Sequence, residues 1–367
     1  MHVTKGIRSA GACAFAAVVG VGGVLAAATA ADAADRVRWP MPMSFASTLT
    51  ALGDTAPWVA EQVDKMSGGT IKLEVFEPGK LVPPLEIFDA VSEGKVESGY
   101  AWMGYEQGKV PASALFGARP FGLEPDQYAA WIYFGGGDEL LKELYKPHNV
   151  HPIFCGTIAP EAAGWFTFEI ESLDQVKGLK FRAAGLGGKV MEKVGASVTV
   201  LPGGELYQAL EKGVLDATEF SLPTVDEQLG FYKVAKFYHL PGWHQPSTSQ
   251  FLYVNLDAWN GLDEQQQTVL NTACMAGVTH AIAKAEALQG AVLNRFQEEH
   301  GVKAVQLPDE VLEALQVASA EVFAEESAKD EMFKKVYESQ LAFQKENKGW
   351  HSMGYLPRDW PVEPTAK

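Results

Sequence analysis

Cysteine is scarce in this chain of 367 residues: there are three, and Cys13 lies near the start of an apolar leader. The other two, Cys155 and Cys274, can pair in an oxidising compartment or serve as small buried apolar residues, and nothing in the sequence fixes their separation. Cations are also few, with 30 Lys and Arg against 46 Asp and Glu and a net charge of −16. That balance argues against nucleic acid and anionic lipid as partners, and an anionic ligand needs a specific buried cation to hold it against the overall field. No serine sits in a nucleophile elbow and no H-E-x-x-H run occurs. His148 and His151, and likewise His239 and His244, are spaced like ligand pairs. Pro147, Pro152, Pro241 and Pro246 break the elements that would aim them at one metal, so they read as loop or surface histidines and zinc is not expected. Beyond the leader, the longest uncharged stretch, residues 265–283, carries Gln, Asn, Thr and His and reads as a buried helix rather than a membrane span.

The leader itself has a recognisable build. Lys5 and Arg8 precede small and apolar residues from position 10 to 28, and Ala31-Asp32-Ala33 supplies the small-x-small pattern of a cleavage site. Residues 1–33 are expected to be a cleavable signal peptide and Ala34 the mature start. No lipoprotein box surrounds Cys13. The product should be exported, soluble and unanchored.

Two distant stretches repeat one pattern. Pro83, Glu86, Ile87, Phe88, Ala90, Val91, Gly94 and Glu97 are matched at identical spacing by Pro202, Glu205, Leu206, Tyr207, Ala209, Leu210, Gly213 and Asp216. Each copy places a proline and a carboxylate at a helix start, apolar residues at i, i+1 and i+4, and a glycine at the helix end. A short strand should follow in each, over 97–103 and 216–222. A helix-to-strand unit used twice predicts two α/β lobes with a ligand cleft between them, and a hydrophobic content of 47% can build both cores.

Further strands are expected over 37–45, 70–76, 151–158, 165–170, 179–183 and 197–201, with helices over 54–66, 126–134, 188–194 and 263–299. The β-forming stretch 237–255 reads as one long strand returning to the first lobe. The lobes are assigned as 34–159 plus 247–305 and as 160–246, with 306–367 forming a long C-terminal helix and tail. That helix, from 308 to about 347, carries the stripe Val311, Leu315, Ala318 and Val322, which must be covered by its own lobes or by a second subunit.

Several residues can carry chemistry. Gly185-x-Gly187-Gly188 follows a strand and opens a helix, imitating a dinucleotide fingerprint, but Val190 stands at its third position and Glu205 belongs to the repeat. A nicotinamide-dependent oxidoreductase is therefore the weaker reading. Glu161 and Glu219 sit where the crossing chain approaches the cleft and suit Ca²⁺ or Na⁺. Arg182 ends a strand and is followed by Ala183-Ala184-Gly185, so its planar fork can reach the cleft and hold a carboxylate. Trp102 and Tyr105, ending the first repeat's strand, would wall the opposite side.

These residues resemble a known family. Residues 174–182 (Asp-Gln-Val-Lys-Gly-Leu-Lys-Phe-Arg), 185–188, 201–210 and 213–219 are similar to DctP-type solute receptors of TRAP transporters. Residues 131–137, 230–236 and Pro241-Gly-Trp-His244 resemble the branch that binds 2-oxo acids and lactate. The resemblance implies a two-lobed periplasmic-binding-protein fold, binding without turnover, and no organic cofactor. Arg182 would grip a small organic acid anion, and membrane subunits of the transporter would receive it. It also implies a metal held by Glu161, Glu219, Phe220 (through its carbonyl or ring) and Gln245, where the branch's Gln and Glu have changed places at 161 and 245, and a homodimer through the C-terminal helix. Phe220 replaces the branch's tryptophan, which leaves room for a longer or more branched acid than pyruvate. A ligand-sensing receptor feeding a signalling partner stays open as an alternative.

Overall fold

The computed structural model describes residues 36–358, 360 and 361, so the expected signal peptide lies outside the described residues. The chain opens with β1 (Val37–Pro42), α1 (Thr55–Met66) and β2 (Ile71–Phe76), then the first repeat copy, α2 (Ile87–Ser92) and β3 (Ser98–Trp102). Helices α3 (Ser113–Gly117), α4 (Pro125–Phe134) and α5 (Gly137–Tyr145) precede β4 (Val150–Ile158). Pro125 begins α4 behind a reciprocal Glu124/Gln127 capping box, which satisfies otherwise orphaned N–H groups. The middle of the chain forms β5 (Gly164–Phe166), β6 (Lys180–Arg182), α6 (Gly185–Lys193) and β7 (Ser197–Thr199). The second copy follows as α7 (Gly203–Glu211) and β8 (Ala217–Thr218), then α8 (Pro223–Leu229), β9 (Phe237–Leu240), β10 (Thr248–Asn255) and α9 (Leu256–Asn260). The tail contains α10 (Glu264–Glu298), β11 (Lys303–Gln306), α11 (Asp309–Lys329) and α12 (Glu331–Met353).

Strands sort into two groups. β1 and β2 pair in parallel, and an isolated bridge from Met43 to Tyr100 brings them beside the three-stranded sheet β3-β10-β4, in which β10 is antiparallel to both neighbours. The other lobe is built on the six-stranded sheet β11-β9-β5-β8-β6-β7. This is the two-lobed α/β architecture that the duplicated pattern predicted. Both repeat copies end their helices on a left-handed glycine, Gly94 at φ 70° and Gly213 at φ 67°, the conformation glycine adopts without a Cβ penalty.

Three expectations need correction. Residues 237–255 are two strands in two sheets, because the Trp243 N–H turns back to the Pro241 carbonyl and Pro241 itself has no N–H to extend a ladder. The C-terminal helix is broken at Asp330, whose extended backbone (φ −137°, ψ 117°) lets its carboxylate accept from the Phe333 N–H and start α12. Residues 303–306, placed with the first lobe and the tail from the sequence, form the edge strand β11 of the six-stranded sheet.

The stripe Val311, Leu315, Ala318 and Val322 is buried within this chain, with α11 packed on α6. α12 instead lies against α3, α4 and α5, so the pair of helices reaches both lobes. Cys155 and Cys274 are joined as a disulfide, tying β4 to α10. Among the described residues no helix is long and apolar enough to cross a membrane.

Candidate functional site

Strand ends from both lobes converge on a small cavity with room for about one water molecule. Trp102 ends β3, Arg182 ends β6, Glu219 and Phe220 follow β8, and Thr248 opens β10. Glu161 arrives from the crossing after β4, and Gln245 from the return crossing between β9 and β10. All seven residues expected at the site from the sequence (Trp102, Tyr105, Glu161, Arg182, Glu219, Phe220 and Gln245) line this cavity, with Phe45, Leu52, Ala184 and Thr248.

Arg182 is no surface salt-bridge residue, being 2% exposed beside Glu219 at 1%. Its Nε donates to the Leu201 carbonyl at 3.0 Å, and Nη1 donates to the Glu219 carbonyl at 3.1 Å and to Glu219 Oε1 at 2.8 Å. Two of the three guanidinium nitrogens are therefore spent on the protein. The two-nitrogen fork expected from the sequence is not available to a ligand in this arrangement. Nη2 is left for the cavity, with the Tyr105 hydroxyl beside the guanidinium and the Phe220 ring under it at 5.3 Å. Burial pushes the Tyr105 hydroxyl up to about 12, so it stays a proton donor.

The two carboxylates differ. For Glu219 burial alone would raise the carboxyl, but Arg182, His244 and the Ala184 N–H outweigh it and hold the group below its ordinary value. For Glu161 burial first, and then Glu219, push the carboxyl well up, against one hydrogen bond from Thr248 and the charge of Arg182. Its Oε1 accepts from Thr248 Oγ1 at 2.7 Å, while Oε2 is buried with no hydrogen-bond partner.

His244 was misread from sequence. It lies in the loop between β9 and β10 but is buried rather than at the surface, with Nε2 3.4 Å from Glu219 Oε2 and 3.8 Å from Glu161 Oε2. Glu161, Glu219 and His244 offer ligand atoms within 4.8 Å of one another, the arrangement of a candidate cation site. His239, also buried, lies elsewhere and accepts from the Ile170 N–H through Nε2. The signal that could have found His244 is Gly242. A Cβ there would lie 2.1 Å from the Glu161 carbonyl oxygen, so the Pro241-Gly242 turn packs directly on the Glu161 backbone.

The glycine run 185–188 has a packing reason in this fold. A Cβ at Gly185 would meet the Trp102 ring at 2.8 Å, and one at Gly187 would meet His244 Cβ at 2.8 Å. The motif that imitates a dinucleotide loop makes room for two side chains of the cleft. Two side-chain bridges flank the cavity between the lobes: Gln107 Nε2 donates to the Gly185 carbonyl at 3.1 Å, and Gln228 Oε1 accepts from the Thr50 N–H at 3.0 Å.

Comparison with known proteins agrees with this geometry. The profile of the DctP family, described as bacterial extracellular solute-binding protein, family 7, matches residues 43–330. The chain is 40% identical over 321 residues to a monocarboxylate 2-oxoacid-binding periplasmic protein of Nostoc sp., covering 87% of each. A TRAP transporter solute-binding protein of Bordetella bronchiseptica, solved as a mixed-occupancy dimer with copurified calcium and picolinate, superposes with a TM-score of 0.85 at 35% identity, covering 87% of this chain and 94% of that one. A TRAP periplasmic solute-binding protein of Pseudoalteromonas atlantica with bound sodium and pyruvate gives 0.83 at 32% identity, covering 87% and 97%.

Proposed function

The chain belongs to the DctP family of bacterial extracellular solute-binding proteins, and from that premise we propose that it is the periplasmic receptor of a TRAP transporter, capturing a small 2-oxo or 2-hydroxy monocarboxylate together with Ca²⁺ or Na⁺. The observation that carries this reading is the pairing of opposite needs in one buried cavity. Arg182 offers Nη2 to an anion, while Glu161 Oε2, without a partner, stands beside Glu219 and His244 and calls for a cation. Glu161, Glu219 and Gln245 supply side-chain oxygens, and the Phe220 carbonyl is the further donor we assign; such an oxygen-rich set fits a hard cation. A cation held by Glu161, Glu219 and Gln245 would neutralise the acidic side of the pocket. Arg182 and the Tyr105 hydroxyl then orient the acid's carboxylate, and Phe45, Leu52 and Phe220 exclude water around its alkyl end. The phenyl ring at 220 suits an acid somewhat longer than pyruvate.

We assign the lobes, in line with the sequence division, to residues up to 159 plus the segment from 247, and to 160–246, the latter extended by β11. They close about the two crossings near 159–163 and 241–247, and the Gln107 and Gln228 bridges support the closed state. The protein binds and releases its ligand without turnover, handing it to the transporter's membrane subunits after export through cleavage of residues 1–33. A homodimer through the C-terminal helices is supported by the exposed Trp350, Met353, Tyr355, Leu356 and Trp360 beside a groove along α12.

The test is thermal melting of metal-stripped protein against pyruvate and longer 2-oxo acids, with and without Ca²⁺ or Na⁺. A ligand at a hundred times its Kd stabilises by about 2.7 kcal/mol, so the midpoint should rise with acid plus cation and not in Arg182→Ala. A rise with a nicotinamide nucleotide and with no carboxylate would overturn the reading.

A further inference from the structure

Thr248 lies between two of the side chains assigned to the cation, and this inference rests on that assignment. The residue is 3% exposed, and its hydroxyl lies 2.7 Å from Glu161 Oε1 and 2.7 Å from Gln245 Oε1. Both separations are hydrogen-bond lengths, yet a threonine hydroxyl has one proton to give. If it donates to Glu161, the Gln245 contact needs a proton from the amide, which requires the Gln245 NH₂ to face Thr248. Oxygen and nitrogen of an amide are interchanged by a simple flip, so the network decides between them.

The remaining contact favours the flipped orientation. As placed, Gln245 Nε2 reaches Glu219 Oε2 at only 3.5 Å, a poor hydrogen bond. The same spacing suits two oxygens that share one cation. With the NH₂ turned to Thr248, the Gln245 carbonyl oxygen stands beside Glu219, and Glu161, anchored through Oε1, keeps Oε2 for the cavity. We propose that Thr248 is a positioning residue of the cation site: its single hydroxyl orients Glu161 and Gln245 at once, selecting which oxygen each presents. Its place at the start of β10, opposite Ile158 at the end of β4, lets it do so, because both ligand-bearing crossings leave the sheet there.

The experiment is calorimetric titration of the EDTA-treated full chain with Ca²⁺ alone and, separately, Na⁺ alone. T248V keeps the shape and removes the hydroxyl, and T248A removes it a second way should the valine form fold poorly. T248S restores the hydroxyl. Loss of such a supporting contact is expected to weaken cation binding about 10- to 100-fold. T248S should stay within about threefold of wild type, a rescue that a packing role of the γ-methyl does not give. The inference is overturned if T248V and T248A both bind within about twofold of wild type, or if T248S is as weak as they are. If wild type binds neither ion, the cation assignment itself falls, an outcome distinct from a wild type that binds and variants that bind equally.

Discussion

A short distance past its strand, each copy of the repeated unit delivers a buried carboxyl group, and the two are held in opposite states. Glu106, after β3, is 6% exposed and Glu219, after β8, is 1% exposed, so desolvation presses on both. Burial pushes Glu106 up to about 8, even though the Tyr145 and Tyr253 hydroxyls donate to its Oε1 at 2.6 and 2.5 Å. Glu219 meets the same burial and is held low, because Arg182 touches it. Two neutral donors do not offset desolvation of a carboxylate; a guanidinium in contact, with His244 and the Ala184 N–H beside it, does. The first copy thus fixes a turn: Glu106 anchors residues 103–106 in the core while Tyr105 and Gln107 on either side face the cleft. The second copy supplies charge to the ligand site. Duplication reproduced the scaffold, and the neighbours decided the chemistry.

The comparison is broken most sharply by Arg182→Met, which leaves Glu219 buried without its cation. Removal of one partner of a buried pair costs about 3–5 kcal/mol. Glu219 would then behave as Glu106 does, with a raised carboxyl whose stabilisation is present below its unfolded value and lost as pH rises. In wild type its depressed carboxyl stabilises above the unfolded value and loses that contribution as pH falls. The gap between variant and wild type in urea denaturation should therefore widen from pH 4 to 7; a constant gap would mean that the pair does not set the state of Glu219.

Glu106→Gln sharpens the other side. The raised Glu106 contributes stability that is present below about pH 4 and fades as pH rises through about 8. The neutral amide has no such slope, so the variant should overtake wild type between pH 6 and 9, by about 1–3 kcal/mol at the upper end. Parallel pH profiles would show that Glu106 does not take up a proton on folding. The smallest effect tests the shared scaffold: Gly94→Ala and Gly213→Ala each force a left-handed alanine where the added Cβ has open space or ordinary contact. Each should cost about 1 kcal/mol in chemical denaturation, and the two costs should agree. A clear inequality would mean that the two turns are not equivalent.

Much of the site was legible because it was marked locally. The proline, carboxylate and glycine of each repeat copy announced where helices begin and end, and strand ends after β3, β6 and β8 brought the expected side chains to the cleft. Other signals were present and passed over. Pro241, Gly242 and Pro246 announced a break of the strand at the crossing drawn at 246/247, and Asp330 before Glu331 is an acceptable helix cap. His244 was marked only by Gly242, whose missing side chain lets the turn pack on Glu161, and the role of Thr248 had no local signal, since it acts on Glu161, which comes from a different crossing.

The sequence by itself determined the elements, their pairing into two similar lobes and the residue types available at the cleft, because those are set by neighbours a few positions apart and by side-chain periodicity. Only the tertiary structure decided how the functional groups are spent. Arg182 lost its fork to Leu201 and Glu219, Glu219 is held low while Glu106 is pushed up, and α11 packs on α6 whereas α12 packs on α3, α4 and α5. Hydrogen-bond partners and desolvation depend on which atoms meet across the fold, and the sequence spacing of those atoms carries no record of it.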